Sequence, residues 1–261
     1  AVIMEDKKGL KKNSLFGNKV KQEQENIKEF SKKISASKKA INNNLMVIED
    51  AAQGFGGRIN EKRAGSFGDV SGTSFFPAKP LGCYGDGGAI FTNNDDLAIK
   101  MRSIRVHGGG KDKYENERIG INGRLDTIQA AILLEKIEIF DNELILRNNV
   151  AKYYKQNINK LFISPHTPDK YFSSWAQYSI VLPNHIKRED FVEKLKKQGI
   201  PSMVYYKIPV HLQEGYRKYG YGIGDFSISE NTSEKILSLP MHPYLNKDNQ
   251  DKVLSALNST T

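Results

Sequence analysis

A lysine in a loop rich in proline and glycine constrains the fold of this chain more than any other feature. Lys79 has a proline two residues before it and another directly after it, and four glycines follow within nine residues. Apolar segments typical of strands flank the loop at 70–76 and 88–92. The prolines stiffen the backbone, and the glycines allow tight turns and the close approach of a ligand. The pattern predicts an ordered loop between two strands.

Apolar runs and helical patterns indicate an α/β fold. Residues 45–48 form a short apolar run that ends in Glu49 and Asp50, which is typical of a buried parallel strand with acids at its carboxyl end. Asp95 can cap a helix up to Ile104, and a second helix is predicted from about 125 to 158. Its apolar stripe comprises Ile128, Ala131, Ile132, Ile137 and Phe140.

The pattern changes after Pro165. Strands are predicted at 175–182 and 202–206, and amphipathic helices at 188–198 and 246–257. About a hundred residues of alternating strand and helix predict a small second domain. Residues 108–120 are rich in glycine and charge, which predicts a mobile loop, and a helix is predicted at 22–41.

Composition excludes several classes of protein. Of the formal net charge of +9, residues 1–44 contribute +6, and this basic segment has too few aromatic residues to favour nucleic-acid binding. The one cysteine excludes a disulfide framework and a cysteine-ligated zinc site. No apolar run approaches the roughly 20 residues of a membrane helix, and no signal segment opens the chain. We therefore expect a soluble cytoplasmic protein without a membrane or metal partner.

Lys79 and Asp50 together suggest a specific chemistry. A lysine in a loop of this kind is often a plain surface residue, but a lysine in a low-dielectric pocket becomes a usable nucleophile. Asp50 follows a predicted strand, and ligands of α/β folds bind at the carboxyl ends of strands. A lysine that forms a Schiff base and an aspartate on the pyridine nitrogen are the two groups that a pyridoxal phosphate (PLP) enzyme needs.

Four motifs resemble the DegT/DnrJ family of sugar aminotransferases, which are fold type I PLP enzymes. The matching segments are 48–53 (IEDAAQ), 74–88 (SFFPAKPLGCYGDGG), 120–131 (GINGRLDTIQAA) and 239–243 (LPMHP). The resemblance covers residues 45–261 and is greatest to enzymes that use glutamate to aminate UDP-linked 3-keto-N-acetylglucosaminuronic acid. Some relatives carry histidine in place of the lysine and are dehydratases, so Lys79 favours transamination.

The resemblance implies roles for residues around the cofactor. Lys79 matches the lysine that forms the internal aldimine and carries the proton, and Asp50 matches the acid on the pyridine nitrogen. Gln53 matches the residue at the ring oxygen, Ser74 a phosphate-binding hydroxyl, and Asn122 a phosphate ligand from the neighbouring subunit. The implied assembly is therefore a homodimer with a shared active site.

For the substrate, the resemblance points to Arg124, Tyr205 and Tyr206. Arg124 is the candidate for the sugar carboxylate, since a guanidinium pairs with that group through two hydrogen bonds. Tyr205 and Tyr206 match a substrate-site pair in which some relatives have histidine first. The implied partners are a nucleotide-linked sugar and an amino-acid donor, for polysaccharide or glycan biosynthesis.

The expected fold is that of the aspartate aminotransferase-like PLP-dependent transferases, with an incomplete large domain and a small α+β domain. The predicted division is a basic lead-in at 1–44, part of the large domain at 45–158, and the small domain at 159–261. Family members have further large-domain structure before the strand that ends in Glu-Asp, including a phosphate-binding turn that has no match in residues 1–44. The alternative function is therefore a truncated, inactive homologue or a subunit-interaction protein without stable PLP binding.

Overall fold

The structure, a computed structural model, describes residues 39–40, 42–112 and 114–259. Its helices are α1 (Asp95–Arg105), α2 (Thr127–Asn157), α3 (Arg188–Lys197), α4 (Ser227–Lys235) and α5 (Lys247–Asn258), with short 3-10 helices at Val210–Leu212 and Glu214–Tyr219. Its strands are β1 (Ile48–Asp50), β2 (Arg58–Ile59), β3 (Lys62–Arg63), β4 (Val70–Ser74), β5 (Gly88–Phe91), β6 (Tyr171–Phe172), β7 (Tyr178–Val181) and β8 (Ile236–Leu239). Of the helix predicted at 22–41, only residues 39 and 40 are described, and both are helical.

The described chain forms two compact units, and the division falls inside α2. The first unit contains the described residues up to Glu138 together with Pro168–Ser173, and the second contains Ile139–Thr167 and the described residues from Ser174 onward. The sequence predicts the boundary at the end of this helix, near 158. The units divide earlier because the carboxyl half of α2 supplies core residues of the second unit. The functional domain limits stay a prediction.

A three-stranded sheet in the order β1-β4-β5 organises the first unit. Strands β1 and β4 are parallel, with Asp50 opposite Gly72, and β4 and β5 are antiparallel, with Ser74 opposite Gly88. The strands predicted at 70–76 and 88–92 are thus present in slightly shorter form. Since parallel strands share one direction, the ends of β1 and β4 lie at the same edge of the sheet.

The buried strand predicted from residue 45 is wrong in position and in burial. The strand begins at Ile48, whose exposure is 72%, and both Leu45 and Met46 are also exposed. Among the described residues, β1 pairs with a strand on only one side. Leu45, Met46 and Ile48 are therefore exposed on the part of the chain that the structure describes, while Val47 is partly buried.

The second unit has its own apolar core. Strands β7 and β8 pair antiparallel, and side chains from them, from α3, from α5 and from the carboxyl half of α2 form one cluster. Its most deeply buried members are Tyr154, Tyr178, Ile180, Leu195, Leu237 and Leu257. The helices predicted at 188–198 and 246–257 match α3 and α5. The strand predicted at 202–206 is reduced to a single bridge between Met203 and Ser238.

Two predicted details of the helices are wrong. Asn94, not Asp95, caps α1: its side-chain oxygen accepts the amide hydrogen of Leu97 at 3.0 Å. In α2, the predicted stripe is mostly exposed, with Ile128 at 74%, whereas Phe140 is buried. A helix that passes from one compact unit to another need not bury one continuous face.

Candidate active site

Lys79 lies in a tight turn directly after β4. The turn is closed by the amide of Lys79, which donates to the carbonyl oxygen of Phe76 at 2.8 Å. Lys79 is half-buried, and the residues after it, from Pro80 to Cys83, are buried. Within the described chain the Lys79 amine has no hydrogen bond or ion pair. A lysine amine with no partner is available to react with, or bind to, a ligand.

Buried groups behind the turn fix its path. The amide of Cys83 donates to the carbonyl oxygen of Phe75 at 2.8 Å, and Cys83 Sγ lies 3.0 Å from the same oxygen. Cys83 is 1% exposed, so it packs as a small apolar residue. At Gly82 an added Cβ would lie 2.6 Å from the carbonyl oxygen of Pro77, so the backbone approaches too closely for any side chain.

Asp50 and Ser74 end the two parallel strands and lie at the same edge of the sheet. Asp50 Oδ1 accepts the amide hydrogen of Ala52 at 3.0 Å, and its side chain is exposed. Ser74 Oγ accepts the amide hydrogen of Phe76 at 3.2 Å, and Phe76 is the first residue of the turn that carries Lys79. Gln53 is also exposed, just after β1. The fold thus brings a carboxylate, a hydroxyl and an amine to adjoining chain segments.

Asn122 and Arg124 lie in the segment between α1 and α2. Arg124 Nε donates to Asn122 Oδ1 at 3.0 Å, and Asn122 forms a backbone bridge with Val106. Arg124 lines a cavity of about 1200 Å³ beside β5 and α1, which Arg102 and Arg105 also line. Lys79, Asp50, Gln53 and Ser74 do not line this cavity. Of the predicted site residues in the first unit, Arg124 alone lines the cavity.

Tyr205 and Tyr206 belong to the second unit. Their ring centroids are 5.6 Å apart, edge to face, and Tyr206 is exposed. Their assignment to the substrate site rests on the family resemblance alone.

The sequence pattern did not predict several side-chain hydrogen bonds of the first unit. Glu49 Oε1 accepts the amide hydrogen of Gly65 at 2.7 Å, and Oε2 accepts that of Phe67 at 2.7 Å. On α2, Gln129 Oε1 accepts the amide hydrogen of Tyr84 at 2.8 Å, and the Lys136 amine donates to a carbonyl oxygen of the same loop. Gln129 and Lys136 are seven residues apart, which is two helical turns, so both lie on the same face of α2. This spacing was the one signal that the sequence offered.

In the second unit, Glu230 organises the segment after the 3-10 helices. Its carboxylate accepts amide hydrogens from Gly224 and Phe226, and it pairs with His211 Nε2 at 3.0 Å. These hydrogen bonds, that from Gly224 above all, lower the pKa of Glu230. For His242, loss of solvation and the nearby charge of Arg147 lower the pKa. The hydrogen bonds of Glu230 stabilise the segment from Gly224 to Phe226.

The groups at the sheet edge fit PLP. A half-buried amine can bind the cofactor's aldehyde, and an aspartate at the end of the neighbouring strand matches the acid that such cofactors require. Within the described residues, no three His, Cys, Asp or Glu side chains are grouped so as to hold a metal ion. Nor does any helix of this described part have the length and hydropathy to cross a membrane.

The fold is that of the fold type I, PLP-dependent transferases. The family model of the DegT/DnrJ/EryC1/StrS aminotransferases matches residues 32–258. The chain belongs to this family.

Among solved structures, a DegT/DnrJ/EryC1/StrS aminotransferase from Brucella abortus has a TM-score of 0.81 and 47% identity, covering 87% of this chain and 60% of that one. DesV of S. venezuelae, in complex with a ketimine intermediate, has a TM-score of 0.79 and 32% identity, covering 85% of this chain and 59% of that one. Among curated proteins, the UDP-2-acetamido-2-deoxy-3-oxo-D-glucuronate aminotransferase of Pseudomonas aeruginosa is 44% identical over 216 residues, which are 82% of this chain and 58% of that protein. The chain thus spans about three fifths of the length of these relatives.

Proposed function

We propose that this chain takes part in the PLP-dependent transfer of an amino group from glutamate to a nucleotide-linked keto-sugar. The observation that carries the proposal is the amine of Lys79, half-buried and without a partner in the described chain, in the loop after β4. The identity to the enzyme from P. aeruginosa, which is named for a UDP-linked 3-oxo-glucuronate sugar, supports UDP-linked 3-keto-N-acetylglucosaminuronic acid as the acceptor.

In this proposal, residues at the ends of β1 and β4 and in the loop after β4 bind PLP. Bound PLP supplies the electron sink that lets an amino group pass between glutamate and the sugar. The Lys79 amine would hold the cofactor and carry a proton, and the Asp50 carboxylate would favour a protonated pyridine nitrogen. Gln53 would be the residue at the ring oxygen, and Ser74 would hold the phosphate.

A second set of residues completes the proposed site. Asn122 binds the cofactor phosphate of a neighbouring subunit, so the active form is a homodimer with a shared site. Arg124 binds the sugar carboxylate through two parallel hydrogen bonds. Tyr205 and Tyr206 contact the sugar nucleotide. The enzyme acts in the cytoplasm and supplies an amino sugar for polysaccharide, including lipopolysaccharide, or other glycans.

An interaction protein without PLP binding is the second candidate function. Leu45, Met46 and Ile48 before and within β1, and Ile90 in β5, are exposed on the first unit. Leu45, Met46 and Ile48 are close neighbours in the chain, and exposed apolar side chains that lie together are typical of sites that bind another protein. A chain with this role would resemble the family in fold and lack its chemistry.

Amino transfer to the keto-sugar tests the proposal. The chain is incubated with PLP, glutamate and the UDP-linked keto-sugar, and mass spectrometry follows both products. We expect 2-oxoglutarate and an amino sugar in equal amounts. Lys79→Ala should abolish both, whereas Lys100→Ala, at an exposed position on α1, should leave both unchanged. Binding of PLP without any amino transfer would overturn the proposed reaction, and failure to bind PLP would favour the interaction protein.

A further inference from the structure

We propose that Lys136 and Gln129 are positioning residues, which hold the loop after Lys79 against helix α2 and so fix the reactive amine. The inference rests on the proposed function, because the position of the Lys79 amine matters for activity only if this amine binds PLP. Both side chains project from α2, and both bind backbone groups of residues 82–84. All of these residues belong to the first compact unit.

The contacts on the loop are polar and complementary. The Lys136 ammonium donates to the carbonyl oxygen of Gly82, and its nitrogen lies 5.7 Å from the centroid of the Tyr84 ring. Gln129 Oε1 accepts the amide hydrogen of Tyr84 at 2.8 Å. One side chain is thus a donor and the other an acceptor, and together they satisfy two peptide groups of the loop. Hydrogen bonds from a charged donor are the stronger kind.

The tethered segment is close to Lys79 in the chain and has little freedom. Gly82 is three residues after Lys79, and the residues between them are buried. An added Cβ at Gly85 would lie 3.0 Å from Gln129 Nε2, so helix and loop are in close contact. Because the amine of Lys79 has no partner of its own in the described chain, its position depends on the backbone of this loop.

Nothing in the proposed reaction needs Lys136 to touch a substrate or the cofactor. It acts only through the loop, which separates its role from that of Lys79. The inference therefore predicts that loss of the tether loosens the loop first and weakens PLP binding as a consequence.

Amide hydrogen exchange and PLP titration, on the full chain, test the inference together. Lys136→Met removes the ammonium and keeps the apolar stem, Lys136→Arg restores a cationic donor, and Gln129→Met removes the acceptor. Lys152→Met, at an exposed position further along α2, is the matched control. Without PLP, we expect the Tyr84 amide to exchange about tenfold faster in Lys136→Met and in Gln129→Met than in the wild type. This factor corresponds to about 1.4 kcal/mol in the free energy of local opening. Far-UV circular dichroism checks that each variant is folded.

With PLP, the visible absorption band of the lysine-bound cofactor is followed against concentration and pH. We expect Lys136→Met to raise the PLP dissociation constant several-fold and to move the pH midpoint of the band, and Lys136→Arg to restore both. Unchanged exchange at Tyr84 would overturn the inference. Faster exchange with an unchanged dissociation constant and pH midpoint would overturn the positioning role. A wild-type chain without any band would overturn the proposed function instead, while the exchange measurement would still decide whether the tether exists.

Discussion

Gly82 offers a direct test of how tightly the Lys79 loop is packed. A methyl group at this position would lie 2.6 Å from the carbonyl oxygen of Pro77 and 2.7 Å from that of Phe76. The second of these oxygens accepts the amide hydrogen that closes the Lys79 turn. Because the obstructing atoms belong to the backbone, Gly82→Ala must displace the turn itself. Overpacking of this kind costs about 1–3 kcal/mol in the free energy of unfolding. For a domain of about 150–250 residues, this cost lowers Tm by roughly 2–12 °C.

The matched control for Gly82→Ala is Gly72→Ala in β4. An added Cβ there meets nothing within 4 Å, and alanine is favoured over glycine in a strand by about 0.5–1 kcal/mol. Differential scanning calorimetry should therefore show a lower transition temperature for the Gly82 variant and an equal or higher one for the control. The Gly82 variant should also bind PLP more weakly. Equal transition temperatures and equal PLP affinity would refute the close packing described for this loop.

Two further predictions concern the second unit, whose Trp175 reports its unfolding by fluorescence. Leu237 is 0% exposed, so Leu237→Ala should lower the free energy of unfolding in urea by about 3–5 kcal/mol. Leu161 is about half exposed, so the control Leu161→Ala should change this free energy by about 0.5 kcal/mol or less. Glu230→Gln should destabilise the unit at pH 7. The difference between its free energy of unfolding and that of the wild type should narrow as the pH falls below 4.5, the ordinary pKa of the carboxyl group. The exposed Glu234→Gln is the control.

The sign of the pH effect follows from the hydrogen bonds on Glu230. They hold the pKa of Glu230 below its ordinary value, so the folded state keeps the charged form while the unfolded state takes up a proton. The contribution is complete above pH 4.5 and is lost as the pH falls through the folded pKa. A difference between wild type and Glu230→Gln that stays constant at all pH values would contradict this account. An equal cost for the two leucine substitutions would contradict the assigned core.

The sequence predicted the parts of this fold that depend on neighbouring residues. The loop around Lys79 follows from its prolines and glycines, and the parallel placement of Asp50 follows from a short apolar run that ends in acids. The contacts of Gln129 and Lys136 join positions 45 and 54 residues apart, so no local pattern could predict their partners. The apolar stripe of α2 failed for a related reason, because the burial of each part of this helix depends on the compact unit to which it belongs.

Covalent trapping of PLP on Lys79 tests the central claim most directly. The chain is incubated with PLP, reduced with borohydride, digested and mapped by mass spectrometry. The account predicts one dominant reduced adduct, on Lys79, which Lys79→Ala abolishes and Lys100→Ala preserves. Wild-type protein without an adduct on Lys79, or with an equal yield in Lys79→Ala, would contradict the proposed role of this lysine.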